Sequence, residues 1–417
     1  MKIKTFLAIL AATICLNLIA SAQTWTSVGP PNIGWTAVAS SADGNKLFAI
    51  DVPSFPSIYG LSTNSGATWI TITEPQSFTG SLYGSWACIA SSADGNILFA
   101  MNYNTVWIST NSGVSWCSNT VSGVGWWTAV ALSADGEKAV AVNAGPAYGQ
   151  GVPGGIYTST NSGRTWSETL APSNTWSCVA SSADGTTLAA AVLGSSLPRA
   201  PVYVSTNSGA TWAPTACPPN MQCTALASSA DGRELIVGGF DGETTGAGML
   251  YTSTNSGNTW ISNSLPLFER WYGVASSADG ARLVAVAQNY GGIFTSTNSG
   301  ITWVSNSLPN TPAWLSVASS ADGTKLVAAC PGSPSGGGIY TRQSTPAPQL
   351  NSTLINGNLA LSWLIPSTNF VLQQSSDLIT TNWSIVTNAP ILNLTNLQNQ
   401  VTLPAPAGSA FFRLATP

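Results

Sequence analysis

Ser62-Thr63-Asn64-Ser65-Gly66-Ala67-Thr68-Trp69 returns five more times, at residues 109–116, 159–166, 205–212, 253–260 and 296–303. The pattern is Ser-Thr-Asn-Ser-Gly-x-(Thr/Ser)-Trp. A second motif runs in step with it. Ser41-Ala42-Asp43-Gly44 recurs with its aspartate at 94, 135, 184, 231, 279 and 322, giving seven copies spaced 41 to 51 residues apart. A period of 40–50 residues is that of a solenoid or propeller built from one repeated supersecondary unit.

The first unit shows what that element is. Trp35-Thr36-Ala37-Val38-Ala39-Ser40 is a mostly apolar strand, and Ala42-Asp43-Gly44 is a turn whose Asp-Gly pair supplies the positive φ of tight hairpins. Residues 46–50 form the second strand and 57–62 the third. Asn64-Ser65-Gly66 makes the second hairpin turn, with the asparagine side chain expected to accept an N–H two residues on and the glycine to take the left-handed conformation. Residues 67–72 are the fourth strand. Four antiparallel strands per repeat make one propeller blade, and the tryptophan closing each copy is expected to bury against the neighbouring blade.

The ends set the blade count. The seventh repeat begins at Trp314 and reaches Thr341, but Arg342-Gln343-Ser344-Thr345-Pro346 stands where the tryptophan motif is due. The missing fourth strand lies at the other end of the chain, where Thr24-Trp25 repeats the Thr68-Trp69 pair. The expected fold is therefore all-β: a seven-bladed propeller over residues 23–345, closed by its N-terminal strand so that no sheet edge stays open. Residues 346–417 contain neither motif. They read as a linker and a small sandwich-like β module with strands at 358–363, 369–374, 382–386, 400–403 and 410–414.

Composition agrees. Of 417 residues, 44% are hydrophobic and only 7% charged, with 40 glycines and 25 prolines, which suits short strands between frequent turns. Residues 1–22 read as a secretory signal, with Lys2 and Lys4 before an apolar run and Ala20-Ser21-Ala22 as the cleavage site. Its removal leaves ten basic against 16 acidic residues, a net charge near −6. A basic patch for nucleic acid or anionic membrane is thereby excluded. A secreted, periplasmic or cell-surface monomer is expected, with no transmembrane anchor in the mature chain. Export permits disulfides, and Cys217 and Cys223, closing a short proline-rich loop, are the best candidate pair. Cys88 and Cys178 share one repeat position and read as buried thiols. With no histidine and no C-x-x-C pair, no metal or other cofactor is expected.

The tryptophan motif resembles the Asp-box, or BNR repeat, of bacterial sialidases and related propellers, with Asn64, Asn111, Asn161, Asn207, Asn255 and Asn298 in the aspartate place. The Ser-Ala-Asp-Gly turn is similar to that of YVTN and TolB-type propellers, kin to the wider WD40-like class. The C-terminal module resembles short tails on secreted bacterial proteins, where attachment or sorting is the usual role. The resemblance implies a propeller with its repeat turns on the face away from any active centre. It does not fix an activity, because such boxes occur in glycosidases, sorting receptors, lectin-like proteins and photosystem assembly factors.

A sialidase-like site would need three arginines to clamp a carboxylate. Only Arg199 and Arg270 fall on the loop-bearing face, so no sialidase activity is expected. Other glycosidases need two carboxylates about 5–10 Å apart. Seven of the 16 acidic residues are turn aspartates, and Asp241, Glu243 and Glu269 are the best of the rest, with Arg270 beside them. Asp51 could also reach the loop face, whereas Glu74 and Glu168 are less well placed. Lack of histidine excludes Ser-His and Cys-His nucleophiles. A ring of aromatics is the alternative. Trp35, Trp86, Trp127, Trp176, Trp271 and Trp314 each begin a first strand, with Cys223 in that place in blade five, and could form a stacking platform for a glycan or peptide or else pack between blades. Two glycine-rich loops, 143–155 and 238–248, vary most. The expected function is non-enzymatic binding or assembly, with a glycan-active hydrolase as the alternative.

Overall fold

The computed structural model describes residues 25–30, 33–51, 58–73, 88–102, 105–121, 125–145, 153–193, 201–218, 221–241, 247–263, 265, 270–288, 292–306, 313–331, 337–343, 350–364, 371–376, 383–404, 406 and 410–415. Among them are seven four-stranded antiparallel sheets that close into a propeller. Blade one is Trp35–Ser40, Leu47–Asp51, Ile58–Ser62 and Ile70–Thr73. Blade seven takes Ser316–Ser319, Lys325–Cys330 and Gly338–Gln343 from its own repeat, and its outer strand is Thr26–Ser27, with Thr26 opposite Thr341 and Ser27 opposite Tyr340. The chain is thus closed by its N-terminal strand, as its motif count requires.

Each Ser-Ala-Asp-Gly turn is locally complete. In blade one the Ser41 hydroxyl donates to Asp43 Oδ1 (2.5 Å) and accepts the Lys46 N–H (3.0 Å), while Asp43 Oδ1 also accepts the Asn45 N–H (2.9 Å). The glycine has two reasons to be there. Gly44 has φ +67°, and a Cβ on it would lie 2.7 Å from Lys325 Cδ and 2.9 Å from Lys325 Cβ, side-chain atoms of the neighbouring blade. The same crossing of a side-chain stem over a turn glycine recurs at Gly95 with Lys46, Gly185 with Lys138 and Gly323 with Arg282. Lys325 Nζ then reaches Asn45 Oδ1 (2.7 Å) and Ser65 Oγ (3.0 Å), pegging blade seven to blade one.

The turn alanines tie the ring together. The Ala42 N–H donates to Ala93 O, Ala93 to Ala134, Ala134 to Ala183, Ala183 to Ala230, Ala230 to Ala278 and Ala278 to Ala321; Ala321 donates to Ala42 O, all at 2.6–2.8 Å. Seven peptide groups so form one closed circuit, each satisfied by the next blade.

The tryptophan-motif turn is wider than expected. Asn64 Oδ1 accepts the N–H of Thr68, four residues on, at 2.8 Å, and Asn64 Nδ2 donates to Thr68 Oγ1 at 2.9 Å. Ser62 Oγ accepts the Gly66 N–H. Ser65 as well as Gly66 lies at positive φ, and the serine does so in all six copies. Because the turn runs through Thr68, the outer strand begins at Ile70 rather than at residue 67.

The core consists of seven clusters, one per blade interface. The second strands of blades one, three, four and six are buried along their whole length, since each is covered on both faces by stacked blades. Continuous apolar runs such as residues 139–142 follow from that. Beyond the propeller, Asn351–Ile355, Asn358–Leu364, Gln398–Pro404 and Ile391–Asn393 make one sheet of the C-terminal module, and Ser384–Ile385, Val371–Ser375 and Phe411–Ala415 make the other. Its core is Leu361, Trp363, Leu372 and Val401. The two strands that the sequence did not announce, Asn351–Ile355 and Ile391–Asn393, are mostly exposed edges, so they carry little inside–outside pattern to read.

Candidate functional site

The tryptophans that open the first strands do not form a platform. Trp35, Trp127, Trp176, Trp271 and Trp314 are at most 1% exposed; Trp86 lies outside the described residues. Their side chains sit between blades, and for four of the five a bulge is the reason. In blades one, three, four and six the register shifts just after the tryptophan, between Trp35 and Ala37 in blade one. One extra residue reverses the parity of the strand, so Trp35 shares a face, and a core cluster, with Val38 and points at blade seven. Four of the five also meet a third-strand aromatic edge-on, as Trp127 meets Tyr157 at 5.4 Å and Trp314 meets Tyr340 at 5.2 Å. The motif tryptophans are the less buried set: Trp69, Trp116, Trp166, Trp212, Trp260 and Trp303 are all half-buried.

Blade five departs most from its siblings. Among the described residues its first strand, Met221–Ser228, and second strand, Leu235–Asp241, are the longest of their kind, and Met221 and Gln222 pair with Asp241 and Phe240 beyond the last described pair of the other blades. Part of the variable loop at 238–248 is therefore a hairpin, because Gly248–Ser253 continues the ladder with Phe240 opposite Gly248. Gly239 is required there, since a Cβ would lie 2.0 Å from Gln222 O. At the tip, the Asp241 N–H donates to Ala247 O (2.8 Å), and the Arg270 guanidinium of blade six stacks over Phe240 at 4.7 Å. Cation–π pairing fixes both side chains at the loop-bearing face. Glu243 and Glu269 lie outside the described residues, as do Glu74 and Arg199. Asp51 is buried at the end of its strand, opposite Trp35, and Glu168 is exposed on the outer strand of blade three, across from Tyr157.

Blade three closes its loop with asparagines. Asn143 Oδ1 accepts the N–H groups of Gly145 (3.0 Å) and Gly155 (3.1 Å), and Gly154 exchanges backbone hydrogen bonds with Asn174. This clamp and Phe240 were not singled out from the sequence. A buried asparagine among glycines at 143–155 was the available signal for the first, whereas Phe240 became visible only through Arg270.

Cys217 and Cys223 do not form a disulfide. Both thiols are free and share the core cluster between blades four and five with Cys178. Cys223 stands in the bulge position that tryptophan holds elsewhere, with Met221 and Cys217 in the same cluster. Burial pushes the Cys217 and Cys178 thiols up to about 12, so both are protonated and inert at neutral pH. Among the described residues, no three His, Cys, Asp or Glu side chains converge as metal ligands, and no helix is long and apolar enough to cross a membrane.

In every copy the turn aspartate's Oδ1 accepts the turn serine's hydroxyl and the N–H two residues on. Burial alone would raise Asp94 and Asp184, but hydrogen bonds from Ser92 and Asn96, or from Ser182 and Thr186, together with the Lys46 or Lys138 charge, hold both below the ordinary carboxylate range. At Asp322 burial wins over the same kinds of partner and its carboxyl is raised.

The sequence matches no known family and no curated protein. Solved structures do share the fold. "YCF48 bound to D1 peptide" matches with 15% identity and TM-score 0.53 over 77% of this chain and 97% of that one. The Kuenenia stuttgartiensis hydrazine synthase matches with 15% identity and TM-score 0.59 over 77% and 98%. The Niastella koreensis GH74 enzyme matches with 14% identity and TM-score 0.58 over 93% of this chain but 62% of its own. At such identities the likeness is one of fold, not of activity.

Proposed function

We propose that the protein is an exported, non-enzymatic binding propeller that presents a protein or glycan ligand-binding surface on its loop-bearing face at blades five and six. The carrying observation is the raised hairpin of blade five, where Phe240 and Asp241 stand on a continuous ladder and Arg270 is held over Phe240. An aromatic face with a guanidinium held over it, beside a carboxylate on the same strand, suits recognition, because the stacked Phe240–Arg270 pair has little side-chain entropy left to lose on binding. The fold neighbour YCF48, bound to D1 peptide, supports the peptide form of this proposal. The repeat turn, with its six equivalent hydrogen-bonded asparagines, is read as an uncharged variant of the Asp-box.

The test is capture from extracellular protein and a glycan array, using the mature chain beginning at Gln23 and its Phe240→Ala and Arg270→Ala variants. Binding lost in both variants while folding is kept supports the proposal, and binding indifferent to both defeats it. The alternative is a glycan-active hydrolase using Asp241, Glu243 and Glu269, favoured by the GH74 likeness. Its test is polysaccharide cleavage by the mature chain and by Asp241→Asn. N-terminal sequencing of secreted protein decides whether residues 1–22 are removed.

A further inference from the structure

At the face of the Ser-Ala-Asp-Gly turns the channel ends in a cavity of about 180 Å³ lined by first-strand serines, by the seven turn alanines and by one residue from far along the chain, Leu397. The alanine peptide groups are spent on the closed hydrogen-bond circuit, so at the collar itself an incoming group meets alanine methyls, while the surrounding serines make the rest of the lining polar. Leu397 lies at the tip of the C-terminal module's hairpin between Ile391–Asn393 and Gln398–Pro404, and packs against the buried pair Ala42 and Ala321, against which Ala93 and Ala278 also pack. Those four alanines belong to blades one, two, six and seven. They form one continuous arc, centred on the seam where the last blade meets the first.

We propose that the C-terminal module is a stopper for this end of the propeller, with Leu397 as the knob that seats on the collar and braces the seam. Two features of the tip support this beyond the contact itself. Leu397 has φ +55°, a conformation that disfavours leucine and suits glycine or asparagine. The turn does not need a leucine for its own sake, since its shape is held by Asn393 Oδ1 accepting the Thr395 N–H (2.9 Å) and Asn396 Oδ1 accepting the Gln398 N–H (3.2 Å). A side chain kept at a cost to its backbone is explained by what it touches. The seam is also next to the one blade that needs a brace. The ring is shut inside blade seven, where the two residues Thr26–Ser27 pair with Gly338–Gln343 by hydrogen bonds alone, with no chain connection between those two strands.

The experiment is amide hydrogen exchange on the full chain, comparing wild type with Leu397→Gly. Glycine accepts the turn's φ, so the hairpin is kept while the knob is removed. Exchange of the Ala42, Ala93, Ala278 and Ala321 amides is expected to rise about tenfold, the effect of losing one half-buried leucine contact. The Ala134, Ala183 and Ala230 amides on the opposite arc should stay as they were. Leu397→Met, which keeps an apolar knob, should restore protection. Unchanged exchange in the arc overturns the proposal, and so does an equal rise all round the ring, which would make Leu397 a general stabiliser rather than a seam brace.

Discussion

Replacing Gly44 by alanine should cost the propeller far more than the same change at Gly357, although both glycines have positive φ, +67° and +77°. The backbone penalty of an L-residue there is about 1–2 kcal/mol at either site. Around Gly357 nothing lies within 4 Å of the added methyl, so that penalty is the whole effect. At Gly44 the methyl would lie 2.7 Å from Lys325 Cδ, 2.9 Å from Lys325 Cβ and 3.2 Å from Ser320 Cβ. The far end of a lysine can move, but its Cβ cannot without displacing the strand, and moving the stem pulls Nζ from Asn45 and Ser65. Overpacking adds about 1–3 kcal/mol, for a total of about 2–5 kcal/mol at Gly44. With a urea m-value of about 3 kcal/mol/M, the difference between the two variants is a fall of roughly 0.3–1 M in the midpoint. Tryptophan-fluorescence unfolding in urea measures it. If Gly44→Ala falls no further than Gly357→Ala, the turn glycines are turn formers only and their role between blades is refuted.

Trp127→Ala should destabilise by about 3–5 kcal/mol and Trp69→Ala by clearly less, because the first is fully buried and the second half-exposed; thermal unfolding of both ranks them, and the reverse order would contradict the bulge-driven packing. Asn161→Asp keeps the acceptor for the Thr165 N–H, and Thr165 Oγ1 can donate where it now accepts, so it should stay within about 1 kcal/mol of wild type, whereas Asn161→Ala should cost about 1–2 kcal/mol. Carboxyl NMR titration should place Asp322 above Asp94 and Asp184. The lowered pair contributes stability that is present above the ordinary carboxylate value near 4 and is lost as pH falls through their folded values. Raised Asp322 has the opposite sign, its contribution being complete below that ordinary value and lost as pH rises through its folded one; equal midpoints for all three would refute the difference in burial.

Much of the fold was legible because its turns are local. Ser41, Asp43 and Lys46 complete their hydrogen bonds within six residues, and Ser62, Asn64 and Thr68 within seven, so each repeat carries its own hairpins. The strand that closes the ring was readable for the same reason, as a stray Thr24-Trp25 pair matching a gap after Thr341. The candidate site was far less legible. Asp241 and Arg270 were named from their place in loops, but the partner that organises them, Phe240, meets Arg270 only when blades five and six are side by side.

The sequence by itself therefore determined the blade, the number of blades and the means of closure, all consequences of turn chemistry spanning a few residues and of counting its copies. Only tertiary structure decided which tryptophans are core. A one-residue bulge reverses the face that Trp35 presents, and period-two reading along the strand cannot register it. Tertiary structure also left Cys217 and Cys223 as free thiols and brought Leu397 to the alanine collar. Those outcomes depend on side chains from separate blades, or from residues more than 300 apart in the chain, arriving at one place, and no local hydrogen bond or spacing encodes that arrival.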